Sequence, residues 1–235
     1  MRRQPAGHPF IVSMTVNGVG MNPLEWLNSE AIHLLGTAVS WAEVLGDVTG
    51  LLSVWWAARE RVWTWPVGLV NSALFLVLFA DARLYANAVL QFGFIVLGMY
   101  GWWSWLRRDR ETDALLRPIR RTAGGEWLVL ASCALVAQAA ITTALASWTD
   151  SPAPFWDSLV LVLSLVATFG QARRLIESWW VWIAVDAVAV PLYASQGLYP
   201  TAVLYVVFAV VCIVGLRTWS STMKLDTSRP EVTAA

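Results

Sequence analysis

Seven long apolar runs, separated by short polar segments, restrict the folds open to this chain. They lie near residues 38–57, 63–80, 84–106, 127–147, 155–172, 178–194 and 198–217. A helix needs about 20 apolar residues to cross the hydrocarbon of a bilayer, where backbone groups find no water. Only 14% of the residues are charged, against about 25% in soluble domains. The runs therefore predict an all-α integral membrane protein with seven transmembrane helices.

The basic residues between the runs are concentrated on one side of the predicted membrane. With seven crossings, thirteen Lys and Arg residues fall on one side and three on the other. Cytoplasmic loops carry the excess of such residues, so we expect the N-terminus outside and the C-terminus in the cytoplasm. The net charge of zero gives no reason to expect a nucleic acid partner.

The polar segments divide the chain into six parts. Residues 1–35 form an N-terminal segment, in which 23–35 have the pattern of an amphipathic helix on the outer membrane surface. The other parts are a first three-helix set (36–106), a basic cytoplasmic loop (107–126), a connector helix (127–147), a second three-helix set (155–219) and a cytoplasmic tail (220–235).

The two three-helix sets repeat each other in sequence. A shift of 114 residues places 63–105 on 177–219 with 14 identities in 43 positions, among them Trp65 on Trp179. The connector adds one crossing, so both sets enter the membrane in the same direction. Such a 3+1+3 parallel repeat is a transporter architecture, with a substrate site between the halves near the middle of the membrane.

Acidic residues within the runs are candidates for function, because charge there is costly and usually faces the bundle interior or a water-filled cavity. Asp186 lies near the middle of the sixth run, where a substrate contact and a hydrogen bond between helices are both open. Glu43 and Asp47 are four residues apart on one face of the first run, near its outer end. For these two, a gate or hydrated vestibule is an equal alternative to a substrate contact.

Amide and aromatic side chains add further candidates. Asn71, Asn87 and Gln91 suit either an uncharged polar ligand or hydrogen bonds between helices. Trp179 and Trp182 share a helix face, and either stack on a flat ring or belong to the interfacial aromatic belt. We assign most of the Trp residues at 63–65 and 102–105 to that belt. The predicted substrate site consists of Trp179, Trp182, Asp186, Gln91, Asn87, Asn71 and Tyr193.

Other classes of function have little support. His8 and His33 both precede the first run, and neither an HExxH nor a GxSxG motif occurs, so the usual residues of an intramembrane enzyme are missing. Cys133 and Cys212 fall within apolar runs and are interpreted as buried small side chains, and no cofactor or metal is expected. A channel is a further alternative, which flux without saturation would indicate.

Several motifs occur in the order found in a known family. They are Trp63-Thr64-Trp65-Pro66, Leu90-Gln91, Tyr100-Gly101-Trp102-Trp103-Ser104-Trp105 and the W-x-x-W pair Trp179 and Trp182. Over residues 22–220 the chain resembles the PnuC family of vitamin transporters. The resemblance associates the W-x-x-W pair and Gln91 with the substrate site. Asp186 stands in the region of the family's usual asparagine.

The resemblance also implies a fold, a cargo and partners. It implies a fold related to the SWEET sugar transporters, a homotrimer, and a location in the bacterial inner (plasma) membrane. The implied activity is uptake of nicotinamide riboside for NAD salvage by facilitated diffusion, with trapping by a cytoplasmic kinase. Relatives that carry thiamine or riboflavin leave the vitamin open. Apart from Arg217, the last residue of the seventh run, the runs hold no Lys or Arg, which disfavours a phosphorylated nucleotide.

Overall fold

Helices account for most of the structure. The computed structural model describes residues 23–34, 37–81, 85–107, 118–149 and 152–228. The helices are α1 (Pro23–Asn28), α2 (Trp41–Ala58), α3 (Thr64–Asp81), α4 (Tyr85–Leu106), α5 (Gly124–Trp148), α6 (Pro154–Ala172), α7 (Ser178–Ser195) and α8 (Tyr199–Ser228). The last seven match the predicted runs to within a few residues, except that α8 continues beyond the predicted end at 217.

Five helices of the described residues are long and apolar enough to cross a membrane. The qualifying segments are Ala88–Leu106, Gly124–Trp148, Pro154–Ala172, Ser178–Ser195 and Tyr199–Leu225, and Thr64–Phe79 is a shorter apolar stretch. Helix α2, which carries Glu43 and Asp47, is not among them. The chain is therefore a helical protein of several membrane spans.

A β-hairpin lies before α2, where the sequence predicts one amphipathic helix over 23–35. Helix α1 ends after six residues, and the Ser29 hydroxyl donates a hydrogen bond to the Trp26 carbonyl oxygen at 2.7 Å. Strand β1 (Glu30–Leu34) then pairs antiparallel with β2 (Thr37–Ser40). The helix prediction is wrong for this strand, because the partner strand supplies its backbone hydrogen bonds.

The long helices pack in two sets of three. Helix α3 packs on α2 and α4, and α7 packs on α6 and α8. The sets meet along two interfaces, α2 with α8 and α4 with α6. Helix α5 packs on α6, and none of its described residues is buried. Cys133 on α5 is exposed, so the prediction of a buried side chain is wrong there, whereas Cys212 on α8 is buried.

Four tryptophans form the core at one end of the bundle. Trp65 meets Trp105 edge-on with 5.5 Å between ring centroids, and Trp179 meets Trp219 edge-on at the same 5.5 Å. Trp105 and Trp219 lie 6.0 Å apart and join the two pairs. All four are at most 6% exposed. The belt prediction is therefore wrong for Trp65 and Trp105, although Trp63 is 65% exposed as a belt residue would be.

Two matching hydrogen bonds tie the helix sets together beside this Trp core. Trp105 Nε1 donates to the Gln171 carbonyl oxygen at 3.1 Å, and Trp219 Nε1 donates to the Ala57 carbonyl oxygen at 3.0 Å. Both donors and both acceptors are 114 positions apart in the chain. The two interfaces thus close in the same way at this end.

A buried ion pair reinforces the same end. The Arg174 guanidinium lies 3.3 Å from Glu60 Oε2 and 4.2 Å from the centre of the Trp105 ring. Thr222 of α8 donates to Glu60 Oε1 at 2.8 Å. Burial lowers the pKa of Arg174, and the charge of Glu60 opposes that effect. Glu60 and Arg174 are also 114 positions apart, and their φ angles are 54° and 55°, in the left-handed region that favours glycine.

Candidate functional site

One face of α7 carries four of the predicted site residues. Intervals of three and four residues, with one of seven, keep them on the side of the helix that packs on its neighbours. They are Trp179, Trp182, Asp186 and Tyr193. Trp179 is fully buried in the Trp core, where Trp219 covers one edge of its ring. Trp179 therefore contributes to closure of the bundle, away from Asp186.

Trp182 lies between the Trp core and the middle of the helix. Its Nε1 donates to Gln171 Oε1 at 3.3 Å, and the side chain is half-buried. The amide nitrogen of Gln171 is buried and has no hydrogen-bond partner among the residues that the structure describes. Because a buried donor without a partner is unfavourable, this amide is a place where a ligand oxygen could bind.

Asp186, the one acidic residue of α7, is buried, at 2% exposure. The Cys212 thiol of α8 is its side-chain partner, and the described residues provide no hydrogen bond to the carboxylate oxygen Oδ2. The salt bridges of the described residues involve other carboxylates. A buried carboxylate oxygen needs a donor or a positive charge, so Asp186 is well placed to receive one from a substrate.

Aromatic side chains extend this site across α7 and α8. Tyr193 stacks on Tyr205 with 5.3 Å between centroids, and Tyr205 meets Phe208 edge-on at 6.0 Å. Tyr205 interacts electrostatically with Asp186 and with Asp47, which brings α2 into the same site. We name as the central cluster Asp47, Asp186, Tyr193, Tyr205, Phe208 and Cys212.

Helix α2 approaches this cluster at Gly50. A Cβ atom added there would lie 3.6 Å from the Phe208 ring, an ordinary van der Waals distance, so α2 and the ring lie side by side at this position. Asp47 is half-buried about one turn away on the same helix. The central cluster therefore spans the interface between the first and the second helix set.

The three predicted amides have different surroundings. Asn71 Nδ2 donates to the Gly46 carbonyl oxygen at 2.7 Å and to Thr49 Oγ1 at 2.8 Å, so this amide joins α3 to α2. Gln91 is half-buried on α4, and within the described residues no hydrogen bond is found between it and the central cluster. The side chain of Asn87 lies outside the described residues. Substrate contacts for all three stay predictions.

Glu43 has a structural role at the start of α2. Its Oε2 accepts hydrogen bonds from the Ser40 backbone N–H at 2.8 Å and from the Ser40 hydroxyl at 2.9 Å. The Ser40 hydroxyl accepts one in return from the Glu43 N–H at 3.2 Å, which completes a capping box. Glu43 is exposed, and its assignment to a gate stays a prediction.

Sequence reasoning missed the three α8 residues of the central cluster. Tyr205, Phe208 and Cys212 are separated by three and four residues, so their shared helix face was readable from the sequence. Tyr205 also corresponds to Gln91 under the 114-residue shift. The position of Cys212 within an apolar run predicts only a small buried side chain, although its thiol meets Asp186.

Apolar helices around a buried acidic and aromatic site define a membrane transporter of small molecules. Comparison with known proteins identifies the family to which the chain belongs. The family model described as nicotinamide mononucleotide transporter matches residues 40–221. The chain belongs to this family, the PnuC family of vitamin transporters.

The names of individual relatives refer to different vitamins. The nicotinamide riboside transporter PnuC of Escherichia coli (strain K12) is 28% identical over 217 residues, which cover 83% of this chain and 91% of that protein. The riboflavin/roseoflavin transporter RibM of Streptomyces davaonensis is 31% identical over 217 residues, which cover 90% and 99%. A crystal structure of the vitamin B3 transporter PnuC has a similar fold, with a TM-score of 0.63, 20% identity and coverage of 79% and 83%. The chain is thus a vitamin transporter in the lipid bilayer rather than an enzyme.

Proposed function

We propose that this transporter takes up nicotinamide riboside, whose pyridinium ring carries a positive charge. The observation that carries the proposal is the buried Asp186 carboxylate, with one free oxygen, beside the Tyr193–Tyr205 stack. A flat cation gains from both the carboxylate and the faces of aromatic rings. Asp47 adds a second negative charge near Tyr205.

The charges also argue against a nucleotide. Within the seven long helices as described, Arg217 and Lys224 near the end of α8 are the only Lys and Arg residues. A phosphate group at the central cluster would meet two carboxylates and no cation, which is unfavourable in a low-dielectric interior. The riboside supplies hydroxyl donors and a positive charge instead.

Riboflavin is the second candidate cargo. The 31% identity to the riboflavin/roseoflavin transporter RibM favours it, and the aromatic rings of the central cluster suit its large flat ring. Its ring system is neutral, however, and leaves the two carboxylates without a positive partner. Thiamine, a cation, is a further cargo to compare.

The proposed architecture is seven crossings in a 3+1+3 parallel repeat related to the SWEET fold, in the bacterial inner membrane. The matching Trp105 and Trp219 bonds support the repeat, since they join the same positions of the two sets. The distribution of basic residues supports an outer N-terminus and a cytoplasmic C-terminus. The Trp core and the Glu60–Arg174 pair then lie at the cytoplasmic end.

The proposed mechanism is facilitated diffusion, in which the cytoplasmic end opens to release the riboside. In the closed form the Trp core and the Glu60–Arg174 pair join the two helix sets below the central cluster. A cytoplasmic kinase that phosphorylates the released riboside for NAD salvage makes uptake one-way. A homotrimer is the proposed assembly.

A substrate panel in liposomes tests this function. Purified protein should take up labelled nicotinamide riboside saturably, unlabelled riboside should compete, and nicotinamide mononucleotide should compete weakly. Trp182→Ala and Gln91→Ala should each reduce uptake, and unchanged uptake in both would remove these residues from the site. Transport of riboflavin or thiamine without riboside uptake would overturn the substrate assignment.

A further inference from the structure

A cavity of ≈ 370 Å³ lies at the cytoplasmic end of the second helix set, apart from the central cluster. It is formed by the beginning of α7, the last turns of α8 and the segment before α5. We name it the α7–α8 groove, and its lining includes Arg121, Glu177, Trp180, Leu216, Ser220 and Lys224. Apolar and basic side chains thus share one concave surface.

The two cations of this groove differ from their basic neighbours. Arg120 and Arg173 both pair with Glu126, at 2.7 and 2.9 Å. In the described part of the chain no ion pair is found for Arg121 or Lys224, and both side chains are exposed. Their charges are therefore free to attract an anion.

The acidic residue of the groove is already engaged. Glu177 Oε2 accepts hydrogen bonds from the Thr122 backbone N–H at 3.0 Å and from the Thr122 hydroxyl at 2.8 Å. The beginning of α7 adds the partial positive charge of a helix N-terminus to the same region. Glu177 keeps its charge, but Arg121 and Lys224 outnumber it, so the lining of the groove carries a net positive charge.

The apolar part of the groove continues toward the membrane. Trp180 is 61% exposed at the start of α7, and Trp side chains favour the boundary between headgroups and hydrocarbon. Leu216 lies two helical turns before Lys224 on the same face of α8, on the membrane side of the lysine. One ligand could then contact a cation at its polar end and apolar side chains along its length.

We propose that the α7–α8 groove binds an anionic phospholipid of the cytoplasmic leaflet. Its phosphate lies between Arg121 and Lys224, and one acyl chain lies along Trp180 and Leu216. Basic pockets between transmembrane helices on the cytoplasmic side are suited to such headgroups. The choice of leaflet rests on the proposed orientation, whereas the binding itself does not depend on which vitamin is carried.

Such a lipid would also act on the closed end of the bundle. The Arg120 N–H donates to the Arg174 carbonyl oxygen at 3.1 Å, and the Ile176 N–H donates to the Arg120 carbonyl oxygen at 3.0 Å. These bonds join the segment that carries Arg121 to the loop that carries Arg174. A bound lipid would stabilise this connection and with it the Glu60–Arg174 pair.

Thermal unfolding of the full chain in detergent tests the site. Phosphatidylglycerol should raise the unfolding temperature by about 3 °C when it nearly saturates the groove, and phosphatidylcholine should not. Arg121→Gln with Lys224→Gln should lose most of that shift. The control Arg61→Gln with Arg217→Gln removes the same charge from exposed residues outside the groove and should keep it.

Three outcomes would overturn the proposal. Equal shifts from the two lipids would remove the need for an anionic headgroup, and equal losses in the two double variants would indicate unspecific charge attraction. The same shift from inorganic phosphate alone would identify a free anion as the ligand. Because none of these measurements involves uptake, their failure is distinct from failure of the proposed transport function.

Discussion

The α2–α8 and α4–α6 interfaces occupy corresponding positions of the two helix sets, yet they differ along their length. At the end that holds the Trp core, each has an indole N–H bonded to a backbone carbonyl of the other set. Toward the middle of the helices the correspondence ends. The positions of Asp47, Asp186, Tyr205 and Cys212 correspond to Leu161, Ser72, Gln91 and Gly98.

This difference separates two tasks within one repeated framework. The matching positions form the Trp core, to which both interfaces contribute the same contacts. The positions that differ collect negative charge on one side only, which gives a single acidic site instead of two. Phe208, whose counterpart is Phe94, shows that the aromatic framework continues where the charges change.

Cross-linking across the closed end should have the largest effect. With Cys133→Ser as background and Cys212 buried, a short bifunctional thiol reagent should join Glu60→Cys to Thr222→Cys, whose native side chains meet at 2.8 Å. If the helix sets separate during transport, uptake in liposomes should fall almost to zero. The matched control joins Ser53→Cys to Thr64→Cys within the first set and should keep most uptake. Normal transport by the protein cross-linked at 60 and 222 would show that this end need not open.

Asp186→Asn should have the second largest effect, because it removes the negative charge of the side chain and keeps its shape. A hydrogen bond to a charged group contributes about 1.5–3 kcal/mol, so the KM for riboside uptake should rise at least about ten-fold. The corresponding variant Ser72→Ala in the first set should change KM by less than about two-fold. Similar effects at the two positions would contradict the idea of one acidic site.

Replacing the indoles tests the end of the bundle at which the two interfaces make matching hydrogen bonds. Trp105→Phe and Trp219→Phe each remove one hydrogen bond to a carbonyl oxygen that keeps a backbone partner, so the lost bond should cost about 0.5–1.5 kcal/mol. Thermal unfolding in detergent should show similar losses for both. A loss confined to one variant would mean that only one of the two interfaces holds the sets together.

Glu43→Gln should have the smallest effect. It weakens the capping box of α2, for which about 0.5–1 kcal/mol is expected, and thermal unfolding should detect it. Uptake should stay within about two-fold of normal if the residue serves only the helix start. A strong loss of uptake at normal stability would instead support the assignment of Glu43 to a gate.

The seven long helices were predictable from the long apolar runs, because a bilayer imposes length and apolar composition on a helix that crosses it. The same patterns could not separate Trp65 and Trp105 in the core from exposed Trp63, since the three share one residue type and one depth. Only the neighbouring helix decides which ring is covered. The β-hairpin was missed because its strands depend on each other and not on a local period.

The candidate site was predictable in part. Asp186 stood out because a carboxylate in an apolar run is rare, and the structure places it deep between helices. Its partners on α8 were not found, because Tyr205 and Phe208 resemble ordinary membrane residues until α7 packs on them. The sequence also offers Asn71 as a ligand candidate, although its amide nitrogen donates two hydrogen bonds to α2.

The opposite charges of Glu60 and Arg174 have a consequence for how the two helix sets choose each other. When two similar helix sets are related by a two-fold rotation, residues at corresponding positions can contact each other near the rotation axis. Two copies of the first set arranged in this way would bring glutamate against glutamate, and two copies of the second would bring arginine against arginine. The covalently joined pair alone combines opposite signs at this point. The ion pair therefore favours partnership between unlike sets and opposes the exchange of identical sets between neighbouring chains.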